Sequence, residues 1–166
     1  MRDDDFSAAR EARQVLQAAG TATLATLDRQ GAPFASMVTV ATTAAGEPVL
    51  LLSDLAVHTR NLKRDPRASL LLVAPGGEDG DPLAGSRLTL VGSVVVDDDP
   101  AARQRFLGRH PEARGYADFK DFAFYRLVIG GGHLVAGFGR IVDLDRKDLV
   151  EGNVGGGASE EDRQAG

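Results

Sequence analysis

The 166-residue sequence has no cysteine, no tryptophan and only 5% aromatic residues. Without thiols there are no disulfides, thiolate nucleophiles, iron–sulfur clusters or cysteine-held zinc. No stretch reaches the roughly 18 apolar residues of a membrane span, and the charged opening from Arg2 to Asp5 is unlike a secretory signal. Basic charge is scarce too, with 19 Lys and Arg against 24 Asp and Glu and a net charge of −5. That balance creates no field for a nucleic-acid partner. Chemical motifs are equally thin. Neither a glycine-rich triphosphate loop nor a dinucleotide GxGxxG after a strand is present, and HExxH and GxSxG are missing. The expectation is a soluble, cytoplasmic protein with no nucleic-acid or membrane partner.

What is present fits one domain over residues 1–150, since this length buries about two thirds of its unfolded surface. Phe6, Ala9, Ala12, Val15, Leu16 and Ala19 recur at helical spacing over 4–19, ending at Gly20. From Thr21 to Leu27 the period changes to two, as in a half-buried strand. Strands are predicted over 33–42, 48–53, 68–73 and 87–96, the last with Leu88, Leu90, Gly92, Val94 and Val96 on one face. Ser53 or Asp54 should cap a helix running to Arg64, because Pro66 disfavours helical geometry at Asp65. Asp99 followed by Pro100 starts another helix, with a further turn between Pro111 and Phe119. Phe122 to Ile129 and His133 to Leu144 read as a closing hairpin around Gly130, Gly131 and Gly132. Residues 151–166 are Gly-rich and acidic, and disorder is expected there. The fold class is mainly β with peripheral helices: a six- to seven-stranded antiparallel Greek-key barrel.

Three histidines are the first candidates for chemistry. His58 stands with Thr59 and Asn61 at a helix start after a buried strand, where free backbone N–H groups favour a phosphate. The same residues also fit a solvated helix, and taken alone that plainer account is the stronger. His110 reads as a surface residue ending a helix, and His133 as a polar strand end beside the triple glycine. Asp97, Asp98 and Asp99 read as a helix start, and the aromatics Phe119, Phe122, Phe124, Tyr125 and Phe138 as mostly core.

Several pieces in order resemble the pyridoxamine 5′-phosphate oxidase-like, FMN-binding split-barrel family, most closely its haem-utilisation branch of the HugZ/HutZ type. They are Thr23 to Pro33, Val49 to Asp54, His58 to Ser69, Arg87 to Gly92, Asp121 to Leu127 and His133 to Gly139. The resemblance covers roughly residues 5–145 and implies a homodimer with shared sites. It implies FMN as cofactor, its ring against Ser36, Met37, Val38 and Thr39, with Ser53 near the ribityl chain. His58, Thr59 and Asn61 would take the phosphate, and Arg87 would come from the partner chain. The implied activity is flavin-dependent oxidoreduction of a small molecule, with haem binding or degradation as the alternative, and F420 or a cofactor-free module as a third. Pyridoxamine-phosphate oxidation itself is not expected, because the tryptophan- and arginine-containing end of those oxidases has no counterpart. The last histidine is His133, so the C-terminal iron-binding histidine of the haem branch has none either.

Overall fold

Local chemistry sets the first turns of the chain. Ser7 caps α1 (Ala8–Ala18), its hydroxyl accepting from the Arg10 N–H, and Ala12, Val15 and Leu16 form the buried stripe. In this computed structural model, which describes residues 6–76 and 80–150, eight strands follow. They are β1 (Thr21–Leu27), β2 (Pro33–Thr39), β3 (Ala41–Thr42), β4 (Pro48–Ser53), β5 (Arg67–Val73), β6 (Ser86–Val96), β7 (Phe122–Ala136) and β8 (Ile141–Asp145). Three more helices intervene: α2 (Val57–Arg64), α3 (Pro100–Arg109) and α4 (Arg146–Leu149). The β1–β2 turn is pinned by the Asp28 carboxylate, which accepts from the N–H groups of Gln30 and Ala32, while Gly31 takes φ +78°.

All eight strands join one antiparallel sheet in the order β2-β1-β5-β6-β7-β4-β3, with β8 also on β7. The long β7 bends the sheet into a half-barrel. Its first part pairs with β4 and its second part with β8, while β6 follows both. Inside the curl lie Leu24, Leu70, Leu72, Leu88, Leu90, Leu127 and Leu134, closed by Leu16 from α1 and Leu149 from α4. A second core under α3 joins Phe106 and Leu107 to Val49, Leu51 and Phe124.

The structure refines several expectations. The strand predicted over 33–42 breaks at Val40, whose N–H turns to the Gly20 carbonyl, which makes eight strands rather than six or seven. The three glycines do not turn the chain. Gly131 and Gly132 pair with Val91 and Leu90 inside β7, and the hairpin lies at Gly137 and Gly139, both with positive φ. At Gly132 a Cβ would come within 2.9 Å of the Leu149 side-chain tip, so the bare backbone lets Leu149 pack closely there. A bulge opposite Val91 and Gly92 takes up the extra residue Gly130 in β7 and leaves the alternation of β6 intact as far as the buried Val94, whereas Val96 at the strand's end is exposed instead of joining Leu88 and Leu90. Ser53 and Asp54 do not cap α2. Its N-cap is Ala56, which offers no side-chain bond; the Ser53 hydroxyl accepts from Leu55 N–H and donates to Asp121. His110 is buried rather than on the surface, its Nε2 2.9 Å from the Val40 carbonyl oxygen. Phe119 and Phe138 are exposed, whereas Phe124 and Tyr125 are core. The expected disordered tail at 151–166 lies outside the described residues.

Candidate functional site

Strand alternation divides the predicted site between two surfaces. Within β2, Val38 is buried and Ser36 turns toward α2, while Met37 and Ala35 point out. Ser36, Met37, Val38 and Thr39 therefore do not offer their side chains to one ring.

The inner surface gathers the residues expected to hold a phosphate. His58 Nδ1 lies 3.0 Å from the Ser36 hydroxyl, and burial holds the imidazole pKa below its ordinary value. Asn61 is buried, donating to Thr26 Oγ1 and accepting from Arg64. Thr59 is fully buried, and its hydroxyl has no hydrogen-bond partner among the described residues. Ser53 is committed to Asp121 at 2.7 Å. The structure thus brings Ser36 to His58, and Thr59 and Asn61 to the same helix, but uses the Asn61 amide as an internal strut.

The outer surface is built differently. One register line crosses six strands: Met37, Thr23, Leu71, Thr89, His133 and Asp143. Exposed apolar side chains stand along it, with Met37 80% exposed and Val73, Val91 and Ile141 also open to solvent, alongside the exposed polar Thr21, Thr23, Asp143 and Asp145. Exposed apolar side chains gathered on one sheet face are a signature of a partner or ligand surface. His133 Nδ1 lies 2.7 Å from an Asp143 carboxylate oxygen. Arg87 faces outward at the rim of the same surface, in register with Val73 and Val135, with one guanidinium nitrogen on the Leu83 carbonyl. Sequence reasoning missed the His133–Asp143 pair because it placed the turn at the glycines. Even with β7 read through them, period two from the buried Leu127 and Ile129 would have set His133 inward; the bulge at Gly130 reverses the phase, so that His133 faces out and Leu134 in.

An antiparallel half-barrel of this topology defines a protein of the split-barrel class. The chain belongs to the CREG beta-barrel family, which it matches over residues 4–150. It is similar to "Heme oxygenase HutZ" of Vibrio cholerae, 32% identical over 147 residues, covering 85% of this chain and 83% of that protein. It is also similar to the chloroplastic "Non-canonical heme oxygenase HOZ" of Arabidopsis thaliana, 38% identical over 127 residues, covering 74% of this chain but only 38% of the plant protein. Among solved structures, a heme binding protein from Mycobacterium smegmatis is 40% identical with a TM-score of 0.81, covering 87% of this chain and 60% of that one. A Clostridium acetobutylicum protein of the pyridoxinephosphate oxidase family is 14% identical with a TM-score of 0.64, a likeness of fold alone. These findings overturn FMN as the cofactor and flavin-dependent oxidoreduction as the activity, because the sequence relatives are named for haem. The shared barrel explains the error, since a fold does not fix its ligand.

Proposed function

We propose that this protein binds haem on the outer face of its sheet and acts in haem utilisation as a homodimer joined across that face. The observation that carries the reading is the exposed apolar surface of Met37, Leu71, Val73, Val91 and Ile141. A porphyrin is broad, flat and mostly apolar, and a twisted sheet face several strands wide matches it. The chemistry of the residues present fits: apolar side chains for the ring, an outward imidazole at His133, and the Arg87 guanidinium for a propionate. When bound, haem would supply the iron chemistry that the relatives' names describe. The chain's own contribution is to bind and orient the ring and to exclude water from its face.

The test is to add haemin to the purified protein, remove the excess and record the visible spectrum. A retained Soret band is expected, decaying in air when ascorbate is supplied. A protein that emerges colourless sinks the reading. Sedimentation tests the dimer separately. Met37→Asp should shift the chain to monomer, weaken haemin retention by at least tenfold and leave the far-UV circular dichroism of the fold unchanged.

A further inference from the structure

We propose that His133 is the protein's ligand to haem iron and that Asp143 is the positioning residue that aims it. The proposal rests on the haem reading above and names the atom that reading leaves open.

The three histidines separate by what their ring nitrogens already do. His110 is buried, with Nε2 at the Val40 carbonyl and Nδ1 3.6 Å from a Glu112 carboxylate oxygen. It has no nitrogen to give. His58 lies on the inner surface against Ser36, between the polar end of α2 and β2. Only His133 stands on the apolar face, its side chain 49% exposed.

Its geometry is that of a prepared ligand. Nδ1 is held 2.7 Å from Asp143, so the neutral ring donates there and carries its lone pair on Nε2. Among the described residues, Nε2 has no hydrogen-bond partner. A carboxylate on the far nitrogen is the usual companion of a metal-bound imidazole, fixing the tautomer and raising basicity.

The surroundings leave room beside the ring. Two residues before His133 on the same outer face stands Gly131, where a Cβ would come within 3.9 Å of the Val91 side chain. The missing side chain keeps the backbone bare between the imidazole and Val91. Val135 follows on the same face, and Thr89 stands opposite. Met37 lies four strand spacings away, about 19 Å, too far to share an iron within one protomer. The pair's worth to folding is small, about 0–1 kcal/mol for an exposed ion pair, so variants at either position should fold.

The experiment compares wild type, His133→Ala, His58→Ala and Asp143→Asn as full chains, each loaded with haemin. The readout is the iron–imidazole stretching band of the ferrous form by resonance Raman. Wild type and His58→Ala should show the band; His133→Ala should lose it and become low-spin when free imidazole is added. Asp143→Asn should keep a band shifted to lower frequency, with haemin affinity reduced about 10- to 100-fold. A band that persists in His133→Ala overturns the ligand assignment while leaving haem binding intact. Wild type that holds no haemin overturns the haem reading and this proposal with it.

Discussion

The two surfaces of the sheet treat their polar groups in opposite ways. Toward α2, side chains are matched within the chain: Ser36 with His58, Ser53 with Asp121, Asn61 with Thr26 and Arg64, and Asp54 with Lys63. Only the Thr59 hydroxyl there, among the described residues, is buried without a partner. On the outer face apolar side chains stand in solvent, and the His133–Asp143 pair is itself open. A group already satisfied by its own fold holds the fold together. A face that leaves apolar area wet gains free energy when something covers it, about 25 cal/mol per Å². At the helix start that looks most like a ligand site in the sequence, His58 and Asn61 have partners within the chain, while the plain-looking strand residues are the open surface.

Leu70 and Leu71 give the largest test of that contrast, because they are neighbours on β5 with the same side chain. Leu70 is fully buried in the main core, whereas Leu71 points outward. Leu70→Ala should cost about 2–5 kcal/mol through lost burial and a cavity. Leu71→Ala should stay within about 0.5 kcal/mol yet weaken haemin retention. Urea unfolding of both variants checks the first part, and haemin titration the second. Equal losses of stability would erase the distinction between the faces.

The sequence shows much of this where periodicity is clean. The alternation of Thr21–Leu27 assigns β1, and Asp99 followed by Pro100 does start α3, where the Asp99 carboxylate accepts from Ala101 N–H. The glycine run fails for a physical reason: glycine signals either a turn or a close approach, and only tertiary structure decides. Here Gly132 makes way for Leu149 and Gly92 for the Val128 carbonyl, so the run lies inside a strand. Asp143 becomes the partner of His133 only once the turn falls at Gly137 and Gly139, which sets the β7–β8 register. In β2, period two would have separated Ser36 from Met37, which the resemblance grouped against one ring. The choice of haem over FMN is written in neither pattern.

A smaller effect sharpens the inner side. Asn61 is buried and both ends of its amide are used, by Thr26 and Arg64. Asn61→Ala leaves the Thr26 hydroxyl and the Arg64 guanidinium without that partner, and should cost about 1–3 kcal/mol. Haemin affinity should not change. A loss of haemin binding with stability intact would return this cluster to the ligand site.

The smallest expected effect is a pH dependence at His58. Burial disfavours the charged ring and holds its folded pKa below the ordinary value of 6.5. Near and below that value the unfolded chain binds more protons at this site than the folded one, so stability rises with pH there. Acidification should lower stability from about 6.5 down to the folded pKa, with no further loss from this site below that. His58→Gln keeps a hydrogen-bonding side chain beside Ser36 but cannot titrate, so its urea midpoint should fall less over the same range. The difference between the two curves isolates this one ring, since every other titrating group is common to both proteins. Parallel curves would mean that the Ser36 hydroxyl accepts from a charged imidazole as well as it serves a neutral one. The inner cluster would then be polar enough to hold an ion, and its contrast with the outer face would narrow.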